Sequence, residues 1–271
     1  MNYTPLHVYS GYSLLKSGLK IDQYLDAAKK MGLTTVGLSD FANLTGAPII
    51  FHEAEKRGLK VIIGEDLLIE NLLFSFYVLN ETGYKNLLKL SLEVEKGHNL
   101  KDKILEYNEG LAVVLTTNND ALKQALITDE SSFARKLAKL TRGFSNFYLG
   151  LEVTNETAYV QTIREFAFSH GYKLLAFPSI KYVKKDDAIV LEMMKSIETK
   201  EVLEIKSLEG DEYLKTPEEI SKLYTEEELS NIDELISQVV FTFVKPRGKL
   251  ISWLEITGER GDDALARLAK E

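Results

Sequence analysis

The segment Thr4–Ile21, TPLHVYSGYSLLKSGLKI, carries the clearest fold signal in the sequence. An apolar strand containing Leu6 and Val8 leads into a polar loop with a glycine, and a helix begins near Ile21. Folds that alternate strands and helices place side chains in this way at the carboxyl ends of their strands, where they build their sites. The loop is therefore predicted to lie at the mouth of an α/β protein, with a lone histidine, His7, at the end of the strand.

The rest of the chain continues to alternate strands with amphipathic helices. Leu111–Leu115 is a continuous apolar run typical of a strand covered on both faces, whereas Ile21–Met31 repeats apolar residues at helical spacing. Asp66–Ile69 and Leu72–Leu79, separated by two residues, are predicted to form a hairpin. This alternation favours a barrel or a doubly wound sheet over a bundle or a sandwich. The predicted strands start at Tyr3, Thr34, Lys60, Leu72, Leu111, Phe147 and Lys173.

Strand signals end near Lys181, and helical patterns follow. We therefore expect an α/β domain, a barrel or a doubly wound sheet, over residues 1–210 and a helical extension over residues 211–271. The tail from Lys245 onward is expected to contain one short charged helix. The helices predicted beyond Lys181 are Asp187–Ile197, Pro217–Tyr224, Glu227–Val240 and Asp262–Lys270.

The composition narrows the class of protein. With 271 residues, 45% hydrophobic, the chain can bury a large core, and the absence of cysteine excludes disulfides and thiolate metal sites. A formal net charge of -8 predicts weak or no DNA binding by this chain, because nucleic acids are held mainly by clustered Lys and Arg. No apolar run approaches 18 residues, and the N-terminus lacks the pattern of a signal peptide. We expect a soluble, cytoplasmic protein without membrane contact.

Five motifs occur in order along the chain: HVYSGYSLLKSG, LSDFANLTGA, VIIGED, LNETGYKNLLKLS and FPSIKYVKKDDA. Together they resemble the PHP (polymerase and histidinol phosphatase) domain found at the N-terminus of bacterial DNA polymerase III alpha subunits, over about residues 3 to 220. The resemblance implies a distorted seven-stranded β/α barrel, in agreement with the strand count, and a C-terminal helical appendage leading toward a polymerase core.

The resemblance also identifies positions where active PHP domains bind metal ions. The chain departs from the metal-binding pattern at most of them: His-x-His corresponds to His7 and Tyr9, and the final Asp-x-His to Ser179 and Lys181. Asp66, with Glu65 beside it, falls on an acidic ligand position. The remaining positions are Lys16 for an acidic residue, Asp40 with Phe41 for an Asp-His pair, and Leu73 and Thr154 for two histidines.

These replacements predict a degenerate metal site. A cluster of two or three metal ions needs many His and carboxylate ligands at one mouth, and Phe41 and Leu73 offer none. Lys16 and Lys181 add positive charge, which repels a divalent cation. We therefore expect no catalytic residues, no metal and no cofactor. Taken alone, His7 is better explained as a hydrogen-bonded strand-end histidine, and Asp40 is as easily explained as the cap of a turn.

Two classes of function follow from the resemblance. The favoured one is a non-catalytic PHP domain that acts as a structural brace and docking surface in DNA replication. Its parent chain would be a DNA-directed DNA polymerase, a nucleotidyltransferase, and its partners the remaining polymerase domains, the proofreading exonuclease or other replisome proteins. The alternative is an enzyme, a metal-dependent phosphoesterase or a 3′-5′ proofreading exonuclease. The number of metal ligands distinguishes the two classes, and it favours the first.

Two expectations concern the geometry of the mouth. First, His7, Asp40, Asp66 and Lys181 should converge there because all four follow strand ends. Second, carboxylates kept together without metal ions need a compensating charge. We therefore expect Lys16 or Lys181 to form an ion pair with Asp40 or Asp66.

Overall fold

The computed structural model of the chain describes residues 3–154, 156–200, 210–243 and 259–269. These residues form one six-stranded sheet, in which the strands lie side by side in the order of the sequence. The strands are β1 (Thr35–Leu38), β2 (Lys60–Ile69), β3 (Leu72–Val78), β4 (Leu111–Thr116), β5 (Phe147–Leu151) and β6 (Lys173–Ala176).

All neighbouring strands are parallel except those that pair with β3, which runs antiparallel to both β2 and β4. The predicted hairpin is confirmed: Ile69 pairs with Leu72 across the turn residues Glu70 and Asn71. Both turn residues have positive φ, 51° and 66°, as a tight two-residue hairpin requires. The predicted strand at Lys60 and the first arm of the hairpin are one continuous strand, β2.

The N-terminal segment Pro5–Tyr9 links the two edges of the sheet without forming a regular strand. On one side, the amides of Gly37 and Ser39 donate to the carbonyls of Pro5 and Val8. On the other side, the segment exchanges two hydrogen bonds with Ile180. The Tyr9 amide donates to the Ile180 carbonyl at 3.0 Å, and the Ile180 amide donates to the His7 carbonyl at 2.9 Å. The prediction of a strand at Tyr3–Val8 was therefore wrong in detail, and the described sheet has six strands rather than seven.

Two close backbone contacts in the barrel require glycine. A Cβ atom at Gly37 would lie 2.6 Å from the carbonyl oxygen of Pro5, so only glycine lets β1 approach the N-terminal segment. At Gly83 a Cβ atom would overlap the carbonyl oxygen of Gly110. Gly83 belongs to the helix that Asn80 caps by accepting a hydrogen bond from the Gly83 amide at 3.0 Å. That helix therefore lies directly against the start of β4.

Helices cover the outer face of the sheet and connect its strands. Their buried faces and the sheet share one apolar core, which also includes Leu6 and Val8 of the N-terminal segment. None of the helices in the described ranges combines the length and apolar character needed to cross a membrane. The helices of the barrel are α1 (Ile21–Lys30), α2 (Ala47–Glu55), α3 (Glu81–Glu95), α4 (Leu100–Glu106), α5 (Asp120–Thr141) and α6 (Thr157–His170).

The helices beyond β6 fall close to their predicted positions. They are α7 (Ile189–Thr199), α8 (Pro217–Leu223), α9 (Glu226–Ser237) and α10 (Gly261–Leu268). α9 packs against β6, where Ile232 and Leu235 are buried and the Asn231 side chain donates to the Leu174 carbonyl at 2.8 Å. The first half of the tail predicted from Lys245 onward, including Trp253, lies outside the described residues.

Candidate functional site

At the mouth, where the carboxyl ends of β1 and β6 meet the N-terminal segment, the carboxylate of Asp66 is held by two side chains of that segment. His7 Nε2 lies 2.9 Å from Oδ2 of Asp66, and the Tyr9 hydroxyl donates to the same oxygen at 2.6 Å. Asp66 and His7 are buried, with 0% and 5% exposure. Burial, and next to it the charge of Asp66, raises the pKa of Tyr9 well above its ordinary value. The phenol therefore stays protonated and remains a hydrogen-bond donor.

His7 is also fixed by aromatic contacts. Its ring stacks on Phe177 at 4.7 Å between ring centroids, with 7° between the planes, and meets the Tyr9 ring edge-on at 5.2 Å. Two buried atoms of this group have no hydrogen-bond partner within the described residues, Nδ1 of His7 and Oδ1 of Asp66.

The carboxylate of Asp40 is held by the loop that follows the N-terminal segment. Both the amide and the hydroxyl of Ser10 donate to it at 2.7 Å, and the Ser13 hydroxyl donates at 2.7 Å. Burial raises the pKa of Asp40, while these hydrogen bonds from Ser13 and Ser10 oppose the rise. Asp40 therefore fixes the loop to the end of β1, which is more than the simple turn cap considered from the sequence.

The two carboxylates are connected through the backbone. The Asp66 amide donates to the Asp40 carbonyl at 3.1 Å, and the Ala42 amide donates to the Asp66 carbonyl at 2.9 Å. The intervening residue, Phe41, forms an isolated parallel bridge with Asp66. Its amide donates to the Ser13 hydroxyl at 2.9 Å. Of the four residues expected to converge, His7, Asp40 and Asp66 are thus brought together, and Tyr9 joins them.

The two lysines of the mouth do not form the ion pairs that we expected. Lys181 Nζ lies 2.5 Å from the Glu212 carboxylate and 6.0 Å from the centre of the Tyr9 ring. Lys16 Nζ lies 4.5 Å from the centre of the Phe41 ring, a cation–π contact. Neither lysine pairs with Asp40 or Asp66 in the described part of the chain, so the expectation was wrong. The charge of Asp66 is met by His7 and Tyr9 instead.

The other three predicted positions take no part in this network. Leu73 lies in β3, half buried, and its backbone carbonyl accepts from the Thr116 hydroxyl at 3.1 Å. The Thr154 hydroxyl accepts from the Glu156 amide at 3.3 Å. Ser179 is buried beside Ile180.

Sequence reasoning missed Glu152, which directly follows β5. Burial raises the pKa of Glu152. Among its neighbours, His7 and Lys181 lower this pKa and Glu212 raises it. These three residues belong to the mouth, so Glu152 lies near it. The signal that could have found Glu152 was its position directly after a strand, because α/β folds place site residues at the carboxyl ends of their strands.

Glu65 lies outside the mouth, although it is the neighbour of Asp66. Side chains alternate along a strand, so Glu65 faces α3 rather than the barrel interior. There the Ser91 hydroxyl donates to Oε1 at 2.9 Å, while Oε2 is buried without a hydrogen-bond partner in the described residues. Burial raises the pKa of Glu65 from its ordinary value of 4.5 to about 8.

Comparison with known proteins agrees with the motifs. Residues 5–156 match the PHP domain family. The DNA polymerase III subunit alpha of Borreliella burgdorferi is 28% identical over 251 residues, which cover 82% of this chain and 22% of that protein. The subunit alpha of Buchnera aphidicola is 28% identical over 245 residues, covering 82% of this chain and 21% of that protein. The chain thus spans about a fifth of the length of these curated relatives.

The solved structure of an amidohydrolase from Chromobacterium violaceum aligns with 66% of this chain and 88% of its own, at a TM-score of 0.46 and 10% identity. The family match extends over more than half of the chain, from the N-terminal segment through the end of β5. The chain therefore belongs to the PHP domain family.

Proposed function

We propose that this chain is a non-catalytic PHP domain of a bacterial replicative DNA polymerase III alpha subunit, in which it braces the polymerase core and offers a docking surface. The observation that carries the proposal is the use of the mouth carboxylates. Asp40 and Asp66 together accept five hydrogen bonds from His7, Tyr9, Ser10 and Ser13, so most of their oxygens already serve the protein itself.

The remaining atoms do not fit a metal cluster. Each ion of a two- or three-ion site needs four to six donors, and bridging ligands as well. Only Oδ1 of Asp66 and Nδ1 of His7 stay free among the atoms of this network. In the part of the chain that the structure describes, no group of three or more His, Asp or Glu side chains is arranged to hold a metal ion.

In place of a metal ion, the mouth uses its polar side chains to fasten the N-terminal segment to the ends of β1 and β2. This arrangement supports a bracing role. It also supports a barrel in which Pro5–Tyr9 occupies the position of a seventh strand and closes the ring of strands. We further propose that residues 1–210 form the barrel and residues 211–271 lead toward the polymerase core. The expected partners are the remaining polymerase domains and replisome proteins such as the proofreading exonuclease. The similarity to subunit alpha proteins supports this assignment.

The decisive experiment measures metal content and hydrolysis together. The purified chain, incubated with Mn²⁺ or Zn²⁺ and then desalted, should retain far less than one ion and should hydrolyse neither a phosphoesterase substrate nor single-stranded DNA. A variant with histidines restored by Tyr9→His, Phe41→His and Leu73→His serves as the positive control for metal binding. Stoichiometric metal in the unmodified chain, with hydrolysis lost in His7→Ala, would instead establish the phosphoesterase or exonuclease.

A further inference from the structure

The second half of α5 carries a row of positive charges that the network at the mouth does not involve. The helix is interrupted at Asp129, where φ is -161° and ψ is 84°. After Glu130, no Asp or Glu occurs in residues 131–151, although the chain as a whole has a net charge of -8. Within this stretch, Arg135, Lys139 and Arg142 form what we call the basic row. All three are exposed.

The three side chains of the basic row share one face of the helix. Residues four and seven positions apart lie almost above one another in an α-helix, and a rise of 1.5 Å per residue makes the row about 10 Å long. The opposite face is buried in the barrel through Phe133, Leu137 and Leu140. The cations therefore point away from the core along an anchored helix.

Within the described part of the chain, the basic row has no acidic partners. None of its three residues forms an ion pair with any described residue, whereas cations on other helices do so, for example Lys85 with Glu81 and Lys103 with Glu106. A surface that concentrates unpaired positive charge in this way attracts a polyanion.

The elements beside the row add little negative charge. Glu70, in the β2–β3 turn, is shared between Lys136 and Lys101, at 2.9 and 2.6 Å. Glu106 of α4 is paired with Lys103 at 2.7 Å. These two carboxylates are therefore already matched by lysines and form no ion pair with the row.

We propose that the basic row binds the phosphate backbone of nucleic acid. Protein partners favour surfaces with an apolar centre, and anionic membranes favour helices with large exposed apolar side chains. Residues 131–143, all of them described, include no exposed large hydrophobic side chain. The exposed side chains around the row are cations and small residues. Its length matches the rise of about three nucleotides at 3.4 Å each. The charge pattern carries this inference, which does not depend on the proposed bracing role.

The binding is expected to be weak and sequence-independent. Three phosphate contacts give a slope of log K against log salt of about -3, and non-specific affinities at physiological salt lie at roughly 10⁻⁴ to 10⁻⁶ M. This is consistent with the weak binding predicted from the net charge, but it assigns that binding to one face.

The test is a fluorescence anisotropy titration of a short labelled DNA duplex at about 50 to 200 mM salt. The variant Arg135→Gln, Lys139→Gln, Arg142→Gln should lose affinity roughly tenfold or more at the low-salt end, and its salt slope should fall by about 1 for each residue replaced. Because these side chains are exposed, the variant should keep the circular dichroism spectrum of the unmodified chain.

The matched control removes three exposed cations from another face, by Lys20→Gln, Lys29→Gln and Lys30→Gln at α1. It should keep most of the affinity and the full salt slope. The inference is overturned if the unmodified chain does not bind DNA at low salt, or if both variants lose affinity equally. It is also overturned if polyglutamate of matched charge competes as well as DNA, because the row would then select acidic proteins.

Discussion

The mouth and the layer between β2 and α3 bury carboxyl groups in two different ways. At the mouth, Asp40 accepts three hydrogen bonds at 2.7 Å. One residue away from Asp66, on the opposite face of β2, Glu65 accepts a single hydrogen bond from Ser91 and leaves Oε2 without a partner in the described residues. Burial raises the pKa of both Asp40 and Glu65.

The difference lies in the number of donors rather than in the depth of burial. A buried carboxylate costs free energy unless hydrogen bonds stabilise its charge. The loop Ser10–Ser13 supplies several such bonds to Asp40, whereas the helix side supplies one to Glu65, whose pKa rises to about 8. The loop at the mouth therefore opposes the rise in the pKa of Asp40 with several donors, whereas the helix layer offers Glu65 one donor and leaves its pKa at about 8.

The largest expected effect comes from removing the acceptor at the mouth. Asp66→Ala should lower the free energy of unfolding by about 1 to 3 kcal/mol for each of the two donors left unsatisfied, His7 and Tyr9. Urea unfolding followed by circular dichroism measures this loss. The isosteric variant Asp66→Asn should lose less, since its amide oxygen still accepts. Equal stability of Asp66→Ala and the unmodified chain would show that Asp66 does not fasten the N-terminal segment.

The next effect is the pH dependence due to Glu65. Its pKa is raised from 4.5 to about 8 on folding. The stability that its protonated form provides is therefore fully present below about pH 4.5, and it is lost as the pH rises to about 8. Glu65→Gln removes this titration, so its stability relative to the unmodified chain should rise by up to about 1.4 kcal/mol per pH unit across that window.

Urea unfolding of both proteins at several pH values measures the difference. Glu95→Gln removes an exposed carboxylate from α3, the helix that Glu65 contacts through Ser91, and controls for the change in net charge. A difference between Glu65→Gln and the unmodified chain that stays constant from pH 5 to pH 8 would mean that Glu65 is ionised in the folded protein.

A smaller effect is expected from the loop that holds Asp40. Ser13→Ala removes one donor to Asp40 and the acceptor of the Phe41 amide, which should cost about 1 to 3 kcal/mol at neutral pH. The cost should shrink in acid, because a protonated carboxyl group needs the donor less. A cost that does not change between neutral and acidic pH would show that Ser13 acts on the backbone of Phe41 rather than on the charge of Asp40.

The smallest effect is expected at the rim of the mouth. The Lys181 and Glu212 side chains are 25% and 33% exposed, so Lys181→Met should cost only about 0.2 to 1 kcal/mol. A double-mutant cycle with Glu212→Gln should show coupling, whereas a cycle with Asp66→Asn should be additive. Coupling between Lys181 and Asp66 would contradict the observed pairing and restore the idea of an ammonium group in place of a metal ion.

Local patterns in the sequence predicted most of the elements. The two-residue turn at Glu70 and Asn71, for example, was visible from residue type and spacing. The segment Tyr3–Val8 was misjudged as a strand because its apolar pattern reports burial, not the regular pairing of its backbone. That pairing depends on Gly37 and Ile180, which are distant in the sequence.

The convergence of the site was predictable from strand ends, but its pairing was not. Lys181 pairs with Glu212, from a segment beyond α7 that the motifs did not tie to the mouth. Glu152 was missed even though it follows a strand end directly. The net charge of -8 gave no indication of the basic row, because the net charge of a chain does not show where its charged residues lie.

The double attachment of Pro5–Tyr9 has a consequence for the order of folding. This segment precedes β1 in the sequence, but one of its backbone partners, Ile180, is synthesised only after all six described strands. Contacts between such distant parts of a chain form slowly, because a long loop must be closed before they contribute. The pairing of β2, β3 and β4, by contrast, needs only neighbouring segments. We therefore expect the pairing of the segment with Ile180 to form last during synthesis. Until then, the groups of the segment that are buried in the folded chain, His7 and Tyr9 among them, stay exposed.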